Sequence, residues 1–472
     1  MIYLINFTEK SYIVKSLTKG MTHLLKTFKG GLHVPDNKNT RECSIINIPA
    51  PAKVYIPMQQ HIGAPAMPLV SKGDYVKKGQ LIGNFENGLS CPIHASVSGT
   101  VCDIEMRNSY TGFGKTAHIV IENDFTDTLH DDIKPFEGDI FKATSDEIVE
   151  IVKNAGVCGQ GGASFPTYAK IQSAIGKATE IIINCAECEP YITENHRLML
   201  EEPEKIIGGA RILMHATGTQ HMTIAIENNK MDAAAVMQEK VKEIDGIDVQ
   251  ILKTKYPQGD ERQLMFVIKG VQLPAGKLPA DVGCVIFNAE TCVSVYKAVY
   301  DGMPLIDTVL TVDGDAVNEP KNLRAPIGTT VSDVLDYCGG AKDSLAKIVS
   351  GGPMMGQAIW DMNAVVMKNT SAFLFLSDKT QCNYEGDCIH CGKCIGVCPM
   401  HLMPNYLAAF SKLSDNENAE KFNILSCVEC GCCTYICPGN VPIVQYIRTT
   451  KGAILAEKKK AAMKAKESEA KS

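Results

Sequence analysis

The 472-residue sequence contains no run of about 18 apolar residues, so no segment is expected to cross a membrane as a helix. The most apolar candidate, 358–376, is interrupted by Asp361, Asn363, Lys368 and Asn369. Positive charge is not in excess either: a formal net charge of −6 leaves no electrostatic footprint for nucleic acid. The start, Met1 to Lys26, lacks the charged, apolar, small-residue succession of a secretory signal. Recognisable organisation begins only after Met21, so residues 1–20 are expected to be a loosely ordered extension or the product of an upstream start codon. Most of the 19 cysteines show no pairing pattern, which fits free thiols in a reducing cytoplasm. What remains is an ordinary composition, 45% hydrophobic, in a chain long enough for several domains.

Eight cysteines do form a pattern. Cys388-Ile-His-Cys391-Gly-Lys-Cys394-Ile-Gly-Val-Cys398-Pro399 is followed by the same grammar in Cys427-Val-Glu-Cys430-Gly-Cys-Cys433-Thr-Tyr-Ile-Cys437-Pro438. In such a run three cysteines spaced two apart grip one cubane, and the fourth, followed by proline, reaches to the other. The spacing thus predicts two [4Fe-4S] clusters, one held by Cys388, Cys391, Cys394 and Cys437, the other by Cys427, Cys430, Cys433 and Cys398. The competing readings are zinc ribbons, which need only paired CxxC units, and a disulfide framework, which is odd without a secretory signal. Apolar spacing in Asn405 to Leu413 predicts a helix between the runs, hence a helical two-cluster module rather than a compact βαβ ferredoxin.

Upstream, Pro49 to Asn123 reads as short strands punctuated by Gly-Asp and Lys-Lys-Gly turns, a small barrel-like sandwich with wording similar to biotinyl and lipoyl carriers. The stretch Cys91 to Gly99, where a carrier would offer a modifiable lysine, has none, so a docking or structural role is expected. From Ser145 to Val299 helical patterns alternate with apolar runs at Glu180–Asn184, His221–Ile226 and Gly283–Asn288, the pattern of a parallel α/β domain, with Lys230–Glu243 as a crossover helix. Thr308–Asp315 reads as a hairpin and Thr330–Gly339 as a glycine-ended helix, a layout that suits a β-grasp. The tail from Lys451 reads as a frayed, solvated helix.

Open α/β sheets bind ligands beyond the carboxyl ends of their strands, and three stretches fall there. Gly159-Gln-Gly-Gly-Ala-Ser-Phe-Pro166 lets backbone approach a phosphate or flat ring closely, although it follows a helix and so is no Rossmann fingerprint. Asn184-Cys-Ala-Glu-Cys-Glu-Pro-Tyr-Ile-Thr-Glu194 sets three acids and an amide at a strand end, where they either face water or bind something. Asn288-Ala-Glu-Thr-Cys-Val293 leaves helix N-terminal N–H groups for an anion.

The order of these pieces resembles the RnfC family, the peripheral electron-transfer subunits of ion-translocating ferredoxin:NAD+ oxidoreductase complexes. The likeness rests on Thr27-Phe-Lys-Gly-Gly-Leu-His33, Gln60-His-Ile-Gly-Ala-Pro65, Gly161 to Pro166, Cys185-Ala-Glu-Cys-Glu-Pro-Tyr191, Tyr256-Pro-Gln-Gly-Asp-Glu261 and both cysteine runs, and spans Met21 to about Arg448. The middle is also similar to the flavin-bearing, NADH-binding subunit of respiratory complex I. The resemblance implies a multidomain α/β protein: an extension (1–29), a barrel-sandwich hybrid (30–135), an FMN/NAD-binding α/β domain (136–300), a β-grasp (301–378), a helical two-[4Fe-4S] ferredoxin-like domain (379–450) and a charged tail (451–472). It implies that Gly159, Gly161 and Gly162 line an FMN and nucleotide cleft with Lys170 beside the flavin, and that Asn184, Glu187 and Cys188 contact FMN. Asn288 and Thr291 would hold its ribityl-phosphate end. Phe165 would stack near adenine, with Glu189, Asp260 and Glu261 beside the nicotinamide and its ribose. Complex I relatives have a second aromatic after the glycine loop, where this chain has Ile171, Gln172 and Ser173, so either nicotinamide affinity is lower or adenine is held differently.

The implied partners are NAD(H), the other subunits of a membrane complex, including an iron–sulfur subunit that accepts from ferredoxin, and ferredoxin itself only indirectly; contact with the cytoplasmic face of the cell membrane would come only through those subunits. FMN is the converter that two-electron NAD(H) and one-electron clusters require, and no side chain need act as acid or base in the hydride step. The alternative is a non-catalytic electron adaptor that feeds a soluble reductase.

Overall fold

The structure, a computed structural model, describes residues 25–85, 87–108, 114–274, 276–380 and 385–469. The extension expected over residues 1–20 lies outside them.

The first unit is a sandwich of short antiparallel strands. One sheet runs in the order Lys53–Pro57, Lys115–Asn123, Gly99–Asn108, Tyr75–Val76; the other is Met67–Pro68, Leu81–Asn84, Ile93–His94. Val54, Ile56, Val101, Ile119 and Ile121 alternate inward and are fully buried, as period-two patterning requires.

The α/β unit is built on a four-stranded parallel sheet in the order Ile247–Leu252, His221–Glu227, Glu180–Cys185, Cys284–Asn288. Ile181, Ile182 and Ile183 are completely buried because helices cover both faces. The crossover helix is Met231–Val241, and Ile247–Leu252 is a strand that the apolar pattern of the sequence does not single out. Its alternation, with Asp248 exposed, is that of an edge strand rather than a buried one.

A six-stranded mixed sheet follows, in the order Ile45–Asn47, Lys321–Pro326, Asp307–Asp313, Ala372–Ser377, Leu345–Ser350, Gln357–Ile359. Thr308–Asp315 is one arm and its turn, and the antiparallel partner comes from Lys321–Pro326. The edge strand Ile45–Asn47 comes from far upstream, so the N-terminal segment reaches the β-grasp sheet before the sandwich begins. The helix Val331–Tyr337 starts with a Thr330–Asp333 capping box and ends before Gly339 at φ +75°.

The last unit is helical, with Pro404–Lys412 between the cysteine runs and a long terminal helix, Ile443–Glu469. The tail expected from Lys451 is the continuation of that helix. Leu407, Ile424, Ile447 and Ile454 form the core of this unit with Cys394, Cys398 and Cys433.

The segment Phe28 to Leu32 wedges between the α/β and helical units. Gly31 N donates to Val397 O at 2.8 Å, and Leu32 and Tyr256 exchange two backbone hydrogen bonds of 2.8 Å. A Cβ at Gly30 would lie 2.7 Å from the Cys398 carbonyl oxygen, and both glycines have positive φ. The motif Thr27 to His33 therefore brings the cluster module against the α/β unit.

Candidate flavin cleft and iron–sulfur module

A cleft of about 730 Å³ opens at the carboxyl ends of the parallel strands, walled by the sandwich, the α/β unit and the β-grasp. That volume suits a cofactor-sized ligand. Every cofactor-site residue expected from the sequence lines it: Gly159, Gly161, Gly162, Phe165, Lys170, Asn184, Glu187, Cys188, Glu189, Asp260, Glu261, Asn288 and Thr291.

The glycine loop is closed on itself by Gly159 N donating to Phe165 O at 2.9 Å, and is pinned to the helix Ala289–Tyr300 by Gln160 N donating to Thr291 Oγ1 at 3.0 Å. Asn288 caps that helix, its Oδ1 accepting from Glu290 N at 2.8 Å. Gly161, at φ +69°, would put a Cβ 2.8 Å from Asn288 Nδ2, whereas a Cβ at Gly162 would meet nothing within 4 Å. The loop thus presents bare backbone to the cleft, which suits a flat ring or phosphate. Lys170 Nζ pairs with Glu261 Oε1 at 3.0 Å and stands 5.6 Å from the centre of the Phe287 ring.

The acids are not equivalent. Glu187, at φ +49°, is buried, its Oε1 accepting from Asn195 N at 2.7 Å and His196 N at 3.3 Å. Burial pushes its carboxyl up, but Lys38 and then Lys230 outweigh burial and hold it below its ordinary value. Glu194, also fully buried, is driven well above the carboxylate range by burial and then by Glu187. Glu189 accepts from Met354 N at 3.1 Å, Met355 N at 3.0 Å and the Tyr256 hydroxyl at 3.4 Å; burial raises it to about 7. Asp260 caps the helix Glu261–Lys269, accepting from Arg262 N and Gln263 N, both at 3.1 Å. Burial raises it too. Asn184 Nδ2 donates to Gly259 O at 2.9 Å, and Gly259 N donates to Cys188 Sγ at 3.3 Å. Burial pushes the Cys188 thiol up.

Sequence reasoning misses Lys38. Its buried ammonium donates to Glu187 O at 2.9 Å, to Glu189 O at 3.0 Å and to Ile192 O, and lies 3.6 Å from Glu187 Oε2. Nothing in the local pattern Asp36 to Glu42 announces a cation under a loop some 150 residues away. Glu194, the last acid of the strand-end loop, receives no role from the sequence, although it lines the same cleft.

In the helical unit the two cysteine runs repeat each other's backbone. His390 and Glu429, Gly392 and Gly431, and His401 and Asn440 all take left-handed φ at matching positions. Leu402 N donates to Cys398 Sγ and Glu429 N to Cys427 Sγ, both at 3.4 Å, the N–H···S pattern that cluster thiolates use. Burial pushes the Cys433 thiol up, and the charges of Cys430, Cys427 and Cys398 add to this. The repeated left-handed turns and the N–H groups aimed at Cys398 and Cys427 suit the cubane this set would hold. Cys394 is buried, while Cys388 and Cys391 face solvent.

The second run also touches the cleft wall. The Tyr256 hydroxyl donates to Cys430 O at 2.8 Å, and a Cβ at Gly431 would lie 2.8 Å from Met354 O. Met354 belongs to the loop that holds Glu189.

Residues 26–126 match the RnfC barrel sandwich hybrid domain, 152–297 the Nuo51 FMN-binding domain, 309–358 the SLBB domain and 382–438 the 4Fe-4S dicluster domain. Over 435 residues the chain is 44% identical to a subunit of the proton-translocating ferredoxin:NAD(+) oxidoreductase complex of Clostridium ljungdahlii, covering 91% of this chain and 94% of that one. The chain belongs to the RnfC family. Other relatives are a subunit of the Na(+)-translocating ferredoxin:NAD(+) oxidoreductase complex of Acetobacterium woodii, 40% identical over 92% of this chain and 98% of that one, and a subunit of the ion-translocating oxidoreductase complex of Rhodobacter capsulatus, 38% identical over 92% and 84%. The fold expected of an RnfC chain is the one found: barrel-sandwich hybrid, FMN-binding α/β domain, β-grasp and dicluster domain. FMN and [4Fe-4S] clusters are the cofactors of these domains. Among the described residues no helix is long and apolar enough to cross a membrane.

Proposed function

We propose that the chain is the subunit of an ion-translocating ferredoxin:NAD(+) oxidoreductase that exchanges electrons with NAD(H) at an FMN in the cleft and passes them singly through two [4Fe-4S] clusters. The observation that carries this reading is the shared wall: Tyr256 and the Met354 loop close the cleft on one side and touch the Cys430 loop on the other. A flavin supplies the conversion between paired and single electrons.

The chain's own residues then have separable tasks. Gly159, Gly161 and Gly162 admit the ring system by close backbone approach, with Asn184, Glu187 and Cys188 along one edge. The N-terminus of the helix begun by Asn288, together with Thr291, faces the phosphate end, where the helix dipole favours an anion. Lys170, held by Glu261, sets positive charge near the ring system. Phe165 offers a face for adenine. Glu189 and Asp260 line the nucleotide side while anchoring, respectively, the Met354 loop and the helix Glu261–Lys269. Cys388, Cys391, Cys394 and Cys437 hold one cluster, and Cys427, Cys430, Cys433 and Cys398 the other. The solvent-facing Cys388 and Cys391 suit exchange with an iron–sulfur subunit of the same complex, whose membrane subunits would keep this chain at the cytoplasmic face.

One observation favours the adaptor reading as the second choice: Glu189 and Asp260, both expected on the nicotinamide side, already have hydrogen-bonded protein partners. Oxygen-free purification, followed by cofactor release and NADH-dependent reduction of an artificial acceptor, separates the two. Released FMN with NADH oxidation supports the enzyme; clusters without flavin support the adaptor.

A further inference from the structure

Around the floor of the cleft lie three buried carboxyls, Glu187, Glu194 and Glu227, and two buried cations, Lys38 and Lys230, whose charges do not balance simply. Glu187 and Glu194 both line the cleft and are both fully buried. Both hold Asn195: its backbone N–H donates to Glu187 Oε1 at 2.7 Å and its side-chain amide to Glu194 Oε1 at 2.9 Å. No N–H or O–H reaches Glu187 Oε2 or Glu194 Oε2, and Asn195 Oδ1 beside them is likewise without a donor. Two buried carboxyls held against one residue, each with an unpartnered oxygen, do not both ionise, and a single proton would satisfy them. The surrounding groups fix which one. Glu187 takes Lys38, Lys230 and the N–H groups of Asn195 and His196, all of which favour the anion. Glu194 receives Asn195 Nδ2 at 2.9 Å but faces the charges of Glu187 and Glu290, with only the more distant Lys38 in its favour.

We infer that Glu187 and Glu194 share a single proton at the floor of the cleft and that this proton exchanges with the flavin as it cycles. The inference rests on the flavin reading above. The stoichiometry calls for such a group: FMN + NADH + H⁺ → FMNH2 + NAD⁺ takes up one proton that the hydride donor does not bring, and return of two electrons to one-electron acceptors releases two protons. When Glu194 gives up its proton it must regain one, since two carboxylates this close do not both stay ionised and Lys230 is already paired with the buried Glu227 at 3.5 Å. The next residue but one pairs with a carboxylate at the surface. The His196 side chain is 6% exposed, and its Nε2 stands 3.0 Å from both oxygens of Asp232, which is 54% exposed. A buried proton holder thus lies two residues from an imidazole–carboxylate pair that opens to solvent.

The test is reduced-minus-oxidised infrared difference spectroscopy on the anaerobically purified, cofactor-loaded chain, with reduction by NADH, in H2O and in D2O. The expected result is a change in a protonated-carboxyl band on flavin reduction that shifts in D2O and is lost in Glu194→Gln. Glu194→Asp, which keeps an ionisable group, should restore a band. Absence of any carboxyl change in the flavin-loaded wild-type chain overturns the inference without recourse to a variant, as does a band that survives in Glu194→Gln. A wild-type chain without flavin would instead overturn the flavin reading, and is recognised from its visible spectrum before any infrared measurement.

Discussion

The Tyr256 hydroxyl donates to the carbonyl oxygen of Cys430 at 2.8 Å and lies 3.4 Å from Glu189 Oε1, so one buried phenol touches both a cluster-binding loop and the cleft wall. Tyr256→Phe removes both contacts and leaves a buried carbonyl without its donor, a loss of about 1–3 kcal/mol. FMN and iron per chain should stay at wild-type levels, because the phenol is not a ligand of either. With the loop less firmly held, cluster reduction should lag behind flavin reduction in rapid-mixing absorbance after NADH is added. Equal lag in variant and wild type would show that the contact plays no part in the transfer.

Gly161 and Gly162 are neighbours with different constraints. Gly161→Ala forces a side chain into φ +69° and against Asn288 Nδ2, costing about 1–2 kcal/mol. It should lower both thermal stability and FMN content. Gly162→Ala meets nothing within 4 Å in the protein, so it should melt as wild type while the methyl group obstructs the cleft and lowers FMN or NADH occupancy. Melting curves and released flavin on the same preparations check both. Full flavin content and unchanged NADH dependence in Gly162→Ala would remove the glycine loop from the site.

Glu290 is fully buried, its Oε1 accepting from Thr308 Oγ1 at 2.9 Å and Val309 N at 2.5 Å, and burial raises it from 4.5 to about 7. A carboxyl whose folded pKa is raised favours folding while it stays protonated, so its contribution is complete below about 4.5 and is lost as pH rises toward 7. Glu290→Gln keeps the accepting oxygen and cannot ionise. Relative to wild type, the variant should therefore gain stability between these pH values, by about 3 kcal/mol at the plateau. Melting temperatures of both proteins across that range check the sign, and a difference independent of pH would contradict it.

Cys432 lies outside the repeat spacing, yet it is fully buried in the same small core as Cys430. Cys432→Ala should keep about eight irons per chain, four per cubane, while Cys430→Ser should lose about four. Since the polarity and burial around cluster sulfurs help to set potentials, Cys432→Ala should also shift the midpoint of one cluster. Iron analysis with redox titration tests this, and iron loss in Cys432→Ala would mean that the ligand register is wrong.

Much of this architecture is legible in the sequence because its signals are local. Cysteine spacing predicts the two repeated runs without knowledge of the fold, their left-handed turns at His390 and Glu429 being visible only in the structure, and buried strands such as Glu180–Cys185 announce themselves by apolar runs. The glycine loop, the Asn184 loop and the Asn288 cap meet around one cleft because strand ends in an α/β sheet converge. What escapes the sequence depends on distant pairing. Lys38 beneath Glu187, Ile45–Asn47 on the edge of the β-grasp sheet, and the Gly30–Gly31 wedge under Cys398 are each set by contacts hundreds of residues apart or nearly so. Ile247–Leu252 escapes for another reason, since an edge strand with exposed Asp248 has too short an apolar signature. The roles of Glu189 and Asp260 come from resemblance alone, and only the structure reveals that each also fastens a piece of backbone.

The central claim is that one chain joins a flavin cleft to two iron–sulfur clusters through a shared wall. The most direct measurement is rapid mixing of the anaerobically purified chain with NADH, following flavin bleaching and cluster reduction separately. The account predicts that flavin bleaches first, that cluster reduction follows by single electrons, and that Cys430→Ser abolishes the second phase while sparing the first. Cluster reduction that precedes or proceeds without flavin bleaching would contradict it.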